Sequence, residues 1–392
     1  STALKTLLQQ TQPPADTLAD NMTACATTDL AADTLVVAAR TAAGSADAYT
    51  QLRQQTGTIM LETVIKKDMQ ALTVATDRIN FFYETELHAN GQVAAAIDTL
   101  QQRQQLYEQD GALWFKSSDY GDEKDRVVRR ANGELTYFAA DIAYHADKLS
   151  RPHPPQNHYR IINVLGADHH GYVPRLSAAM QALGFNAQDM ETEIIQFVAL
   201  FEGGERLKMS TRAGEFVTLQ ELVASVGAEA ARFYYLSRKN DQHLDFDLTA
   251  AKAQERNNPI YYLHYANARI FRIIENWQEN FQGDTATLAT ADIQPLAQDS
   301  AAIALCEQLI LYPETIARAA AERAPHLLTA YLSELATQLH NYYEQSRILP
   351  AADDTNAATD SGLAARVALL WATCTVLNNA ARLLGLKLPE SM

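Results

Sequence analysis

The spacing of apolar positions divides the chain into three textures. In "ADTLVVAARTAAGSADAYTQLRQQTGTIMLETVIKKDMQAL" they recur at helical spacing, with a break at Ala43-Gly44-Ser45. "TQPPAD", further upstream, is a turn. From about Val74 strands and helices mix. Gly111–Phe115 and Arg126–Arg129 read as strands, and Asn132-Gly133 marks a tight hairpin turn before a helix that opens near Ala139. Ile161–Leu165 is a β-branched run that predicts a buried strand. Gly166 ends it, and an amphipathic helix starts at Val173, which makes half of a βαβ unit. "ETEIIQFVAL" reads as the next strand and Glu215–Leu219 as a short one. Beyond Leu219 the pattern is almost wholly helical. "TLQELVASVGAEAARFYYLSR" leads into several long amphipathic helices, broken by "QGDTATLATADIQPL", by Tyr312-Pro313 and by "LPAADDTNAATDSG". No internal repeat is present.

Composition narrows the class. The 392 residues suit two or three domains at ~150 residues each. A hydrophobic fraction of 47% fills a sizeable core, yet no run of ~18 apolar residues predicts a membrane span. The N-terminal stretch lacks the basic region and apolar block of a signal peptide. The chain begins at Ser1 and not at Met, so a processed, tagged or trimmed start is expected. Cys25, Cys306 and Cys374 lie far apart with no CxxC; this argues against a disulfide framework and fits a reducing cytoplasm. A net charge of −15 argues against nonspecific coating of nucleic acid, but not against a local basic face.

Five segments carry candidate chemistry. "GADHHGY" places Asp168, His169 and His170 at the carboxyl end of a predicted strand, where open α/β sheets bind ligands. Three consecutive side chains rarely converge on one ion, and neither HExxH nor a Cys/His partner completes a zinc site. Contacts to a nucleotide or another polar ligand fit better, against the plain alternative of loop histidines tied to their own backbone. "TYFAADIAYH" spaces Tyr137 and Asp141 by four residues, on one helix face. A phenol and a carboxylate suit a cationic ligand, and a carboxylate at a helix start suits the helix dipole equally. "ERLKMSTRAG" carries Lys208, Ser210, Thr211 and Arg212, which suit a triphosphate or simply a solvated turn; it is not a Walker loop. "NNPIYYLHYANARIFRI" interleaves tyrosines with Arg269 and Arg272, and "LATQLHNYYEQSRIL" offers His340, Tyr343 and Arg347. Both fit base stacking and phosphate contact, or a buried helix face.

In this order, "DGALWFKSSDYGDEKDRVV", "TYFAADIAYH", "INVLGADHHGY", "LKMSTRAGEFVTL", "ARFYYLSR", "HLDFDL", "NNPIYYLHYANARI" and "LLGLKLPESM" resemble the arginyl-tRNA synthetases, a family of class I aminoacyl-tRNA synthetases. The likeness covers about Asp77 to Met392, with looser similarity back to about Asp33. It implies an α/β plus all-α architecture: a partial Rossmann-like catalytic domain followed by a helical-bundle anticodon-binding domain. The expected division is 1–75, a helical segment of unassigned role; 76–250, the second half of the catalytic fold; and 251–392, the anticodon module.

The resemblance also implies roles. "KMSTR" stands where the family carries its KMSKS-type loop, which closes on ATP. Lys208, Ser210, Thr211 and Arg212 are then the catalytic candidates, with Thr211 where the pattern has its second lysine. Tyr137, Asp141 and His169 would hold arginine. Gly166, Asp168, His169, Lys208 and Met209 would meet the nucleotide. Tyr265, Arg269, Tyr343, Arg347 and Met392 would touch tRNA. ATP with Mg2+ is the implied cofactor set, with no metal held by the protein, and arginine and its tRNA are the implied partners. A complete enzyme is expected to be a cytoplasmic monomer, whereas an open sheet edge favours self-association. The family's HIGH-type motif is not found in this sequence. Three readings stay open: a piece of an arginine–tRNA ligase, a truncated relative that binds tRNA or arginine without activating it, and a helical interaction protein. The Tyr137/Asp141 pair and the DHHGY and KMSTR segments weigh toward the first.

Overall fold

A computed structural model describes residues 46–152, 159–207, 217–350, 360 and 362–392, with side chains from Gln51 onward. Its contacts gather into two units, Ser1–Ile79 with Val217–Ala228, and Asn80–Phe216 with Glu229–Met392. In the first unit the expected helical texture appears as Ala46–Met60, a π-helical turn at Leu61–Ile65, and Lys66–Ala71, while its part before Ala46, the break at Ala43-Gly44-Ser45 and the TQPPAD turn lie outside the described residues. The strand expected over Glu215–Leu219 is not found among the described residues, since Leu219 opens the helix Leu219–Val226. The cause is local. Thr218 and Glu221 form a reciprocal capping box, in which each side chain satisfies the other's backbone N–H. Gln220 then donates to Asp68 at 2.8 Å, tying this helix to Lys66–Ala71.

The second unit begins with helices α1 (Glu84–Ala89) and α2 (Gln92–Gln102), then an antiparallel meander of β1 (Leu106–Gln109), β2 (Ala112–Phe115) and β3 (Arg126–Arg129). The turn expected at Asn132-Gly133 is present, with Gly133 at φ +86 and Arg130 N–H bonded to the Glu134 carbonyl. Helix α3 (Tyr137–Ser150) starts two residues before the expected Ala139. Leu100, Phe115, Val128, Ile142 and Met180 share one core between these elements. Between β2 and β3, the Asp122 carboxylate is almost fully enclosed. It takes two bonds from Arg126, at 2.6 and 2.7 Å, and a third from Ser117 Oγ. The fork of Arg126, foremost, holds the Asp122 carboxyl below the usual carboxylate range.

Strand β4 (Ile161–Gly166) pairs in parallel with β5 (Met190–Ile195), and α4 (Val173–Ala182) makes the crossover. The expectation of a fully buried β4 is corrected: Ile161 and Asn163 face inward, while Ile162 is 47% and Val164 66% exposed. A β-branched run signals a strand but not how many of its faces are covered. "ETEIIQFVAL" is likewise two strands. β5 ends at Ile195, and β6 (Val198–Glu202) belongs to a separate sheet, where it lies between β7 (Glu205–Arg206) and β8 (Leu244–Asp247). Helix α5 (Ala228–Leu236) follows, and then β8 (Leu244–Asp247), a strand that interrupts the helical texture expected after Leu219. Its Leu244 and Phe246 are buried beside β6, alternating with Asp245 and Asp247, a period of two too short to stand out locally.

The remainder is helical: α6 (Leu248–Lys252), α7 (Pro259–Phe281), α8 (Ser300–Ile310), α9 (Tyr312–Ala321), α10 (His326–Gln345) and α11 (Leu363–Leu383). Asn258 caps α7 by accepting from Ile260 N–H, and Pro259 occupies its first turn. Helices α7, α10 and α11 pack on one another, and Leu263, Ile270, Leu335, Leu339, Leu370 and Leu377 on them are buried. The enclosed Asp122–Arg126 pair sets the first expectation for experiment. Asp122→Asn should lower the unfolding free energy by about 3 kcal/mol, seen as a lower urea midpoint at unchanged m-value, because Arg126 keeps its charge and loses its partner. An unchanged midpoint would show that solvent screens the pair.

Candidate functional site

Two constellations carry the predicted residues. The first lies where β4 ends. Gly166 closes the strand, and Ala167–Tyr172 forms a 3₁₀ turn that feeds directly into α4. A Cβ on Gly166 would stand 2.6 Å from Asp168 Oδ1, so the absence of a side chain there is what seats the aspartate against the strand end. Asp168 and His169 are both exposed, 3.6 Å apart.

Asp141 lies one turn into α3 and is half-buried. Its Oδ2 accepts a short hydrogen bond from the Tyr172 hydroxyl. Oδ1 has no hydrogen-bond partner among the described residues. Tyr172 is held edge-on by Phe138 at 6.1 Å and by His169 at 6.1 Å, and the Arg175 guanidinium sits 4.7 Å over its ring. Burial, and then the Asp141 contact, push the Tyr172 phenol well above its ordinary pKa, so it stays a donor. The result is a fixed carboxylate with one open oxygen beside an aromatic wall, an arrangement suited to a cation. Under it, His145 Nδ1 lies 2.7 Å from the Asp141 carbonyl and Nε2 lies 3.1 Å from Asn163. Burial lowers the pKa of His145 and brings that of Lys148, which also reaches Asn163, down to about 8.

The sequence pairs Tyr137 with Asp141, but the structure pairs Asp141 with Tyr172. Tyr137 is 76% exposed, and its hydroxyl has no hydrogen bond among the described residues. A shared helix face places two residues on one side without bringing their functional atoms together. Tyr172 went unassigned although it closes the "GADHHGY" segment, because it meets Asp141 across 31 residues of chain. Lys208, Met209, Ser210, Thr211 and Arg212 lie outside the described residues. The hairpin before them is described: Gly203 and Gly204, at φ +60 and +85, reverse β6 into β7.

The second constellation lies between α7 and α10. Arg269 is sandwiched between rings, 4.3 Å from the centroid of Tyr265 and 4.0 Å from that of Tyr343. One of its nitrogens bonds the Tyr265 hydroxyl and another lies 3.0 Å from His340 Nδ1. His340 is buried and stacks on Tyr265. Tyr265, Arg269 and Tyr343 therefore form one partly exposed aromatic–cationic surface. Arg347 is not part of it and donates to the Leu349 carbonyl instead. The tail returns to α7, where buried Asn267 donates to the Pro389 carbonyl at 2.8 Å, three residues before the exposed Met392.

Known proteins resemble the chain in both regions. A family model described as "tRNA synthetases class I (R), catalytic domain" matches residues 41–256, and "DALR anticodon binding domain" matches 263–392. An arginine–tRNA ligase of Nitrosospira multiformis is 44% identical over 370 residues, covering 94% of this chain and 59% of its own length. One of Hydrogenovibrio crunogenus is 46% identical over 329 residues, covering 84% of this chain and 53% of its own. The chain thus spans about half the length of the curated relatives it matches. An arginyl-tRNA synthetase structure from Campylobacter jejuni superposes with a TM-score of 0.76 at 30% identity, over 89% of this chain and 71% of that one. The Thermus thermophilus structure, at 22% identity and TM-score 0.67, shares the fold.

Buried His340 gives a solution handle on the second constellation. Burial, and then the charge of Arg269, lower its pKa to about 4, with Arg256 acting in the same sense. An unfolded histidine titrates near about 6.5, so between these values the unfolded chain binds the extra proton. Stability should therefore fall as pH drops from about 6.5 toward 4. His340→Gln should remove that part of the slope in urea melts taken across this range. Parallel slopes for the two proteins would contradict the buried, neutral imidazole.

Proposed function

The chain belongs to the arginyl-tRNA synthetase family, and on that premise we propose that it carries the second half of an arginine–tRNA ligase catalytic fold together with its anticodon module. The observation that carries this reading is the Asp141 carboxylate, fixed by Tyr172 at a strand end with one oxygen open. A guanidinium matches it in charge and hydrogen-bonding geometry, and Tyr172 supplies the apolar wall. Tyr137 closes over the bound side chain from the outer turn of α3, and His169 borders the same crevice.

In the proposed reaction an arginine carboxylate oxygen attacks the α-phosphorus of ATP. The bond to the β-phosphate bridging oxygen breaks and pyrophosphate leaves. A hydroxyl of the terminal tRNA ribose then attacks the arginyl carbonyl, loses its proton, and AMP departs. Gly166, Asp168 and His169 border the nucleotide; Met209 flanks it. Lys208, Ser210, Thr211 and Arg212 meet the phosphates, where positioning and charge stabilisation provide most of the acceleration. Mg2+ would accompany ATP and offset phosphate charge. Among the described residues there is no group of three or more His, Cys, Asp or Glu placed for a metal. We assign 76–250 to the catalytic fold and 251–392 to anticodon binding, where Tyr265 and Tyr343 stack on tRNA bases, Arg269 between them meets a phosphate, and Arg347 and Met392 flank them. No described helix is long and apolar enough to cross a membrane, and a cytoplasmic site of action is part of this proposal.

Equilibrium dialysis with labelled arginine tests the pocket. Asp141→Asn should weaken binding by roughly 30-fold or more, and Tyr172→Phe by less. Normal arginine binding by Asp141→Asn would defeat the assignment. Filter binding tests the module: Arg269→Gln should weaken arginine-tRNA binding by about tenfold and reduce the salt slope by about one. ATP–pyrophosphate exchange then separates a ligase from a chain that binds its substrates without activating them.

A further inference from the structure

Arg323 occupies an unusual place. It follows the last turn of α9 with φ +52, a left-handed backbone that favours glycine. Ala324 N–H bonds back to the Ala319 carbonyl at 2.8 Å, the closure of a helix end that ordinarily has glycine at the position of Arg323. The chain thus retains a long side chain where the backbone disfavours one. That side chain reaches out of the helical module to β5. Its Nε donates to Glu193 at 2.5 Å, and its terminal nitrogen meets Glu191 at 2.7 Å. Both carboxylates lie about three-quarters or more enclosed, and this contact lowers the Glu193 pKa first among its causes.

Neither carboxylate is held by Arg323 alone. Arg160 bonds Glu191 at 2.8 Å, and Asn240 donates to Glu193 at 3.0 Å. The Asn240 carbonyl in turn accepts from Gln196 N–H at 2.9 Å. Gln196 lies in the short link between β5 and β6, and β6 runs into the hairpin that precedes Lys208. The β5 register sets Ile195 opposite Gly166, the glycine that seats Asp168. One guanidinium therefore grips the strand that fixes both the strand-end turn and the approach to the basic segment.

The other end of this connection is α10. It starts at His326, three residues after Arg323, and carries His340 and Tyr343 near its far end. A helix of 20 residues is a rod of about 30 Å. Arg323 thus lies just before one end of α10, and the aromatic–cationic surface lies near the other.

We propose that Arg323 is a positioning residue that transmits occupancy of the Tyr265–Arg269–Tyr343 surface through α10 to β5 and the β5–β6 link. This rests on the reading of that surface as a tRNA site. Arg323 hydrogen-bonds Glu193 and forms an ion pair with Glu191, so a shift of α10 would be passed to two points on β5. A lysine would keep the charge and lose the two-point grip.

Filter binding and amide hydrogen exchange on the full 392-residue chain test the connection, with arginine tRNA as the probe. In the unchanged chain tRNA should slow exchange across residues 190–202 by about threefold or more. Arg323→Ala should bind tRNA within about threefold of the unchanged chain yet lose this slowing. Arg323→Lys should keep part of it, and Glu191→Gln with Glu193→Gln should reproduce the alanine result. Slowing that survives in Arg323→Ala overturns the proposal. So does an equal loss of tRNA binding and of slowing in both the alanine and lysine variants, which marks a merely structural role. If the unchanged chain fails to bind tRNA, the tRNA reading itself fails and the proposal falls with it. If tRNA binds without slowing exchange, only the transmission fails.

Discussion

The parallel pairing of β4 with β5 governs the placement of nearly everything else in the second unit. Six residues lie in register, from Ile161 opposite Met190 to Gly166 opposite Ile195. Parallel strands need a crossover, and α4 supplies it, so the chain must leave β4 at Gly166 and turn at once. That turn carries Asp168 and His169 to the strand end and presents Tyr172 to Asp141. Shifting β4 by one residue would reverse which side chains face α3 and remove Asn163 from His145 and Lys148.

The same pairing gives the sheet two unlike faces. Asn163 looks toward α3 and its buried histidine. Ile162 and Val164, opposite Glu191 and Glu193, look the other way. On that second face the carboxylates are neutralised by Arg160 and Arg323, while the two β4 side chains stay uncovered. Parallel strands are ordinarily covered on both faces, so bare β-branched residues beside paired charges make this side the least self-sufficient part of the sheet. Arginine suits the contact because its fork holds two acceptors in fixed geometry and because it stays charged when partly enclosed.

The helical module applies the same side-chain chemistry differently. Arg269 is held by two rings and a buried imidazole rather than by carboxylates. A guanidinium between aromatic faces keeps its charge unneutralised, and so remains available to an anionic partner, while the rings hold it in place. A chain of net charge −15 can carry such a surface because recognition depends on local arrangement.

Local signals in the sequence determined much of the chain: the helices, the strands of the first meander, the Asn132-Gly133 turn, Gly166 as a strand end, and the tyrosines and arginines of α7. Those features depend on spacing, β-branching or turn chemistry, which operate within a few residues. The motifs also singled out Asp141 and His169, both of which the structure brings against Tyr172. Only the tertiary structure decided that Tyr172, rather than Tyr137, bonds Asp141. It alone separated β5 from β6, formed β8, left Ile162 and Val164 uncovered and sent Arg323 to Glu191 and Glu193. Each of these rests on atoms brought together from distant parts of the chain, or on what a neighbouring element leaves uncovered, and no periodicity in one segment records what another segment places against it.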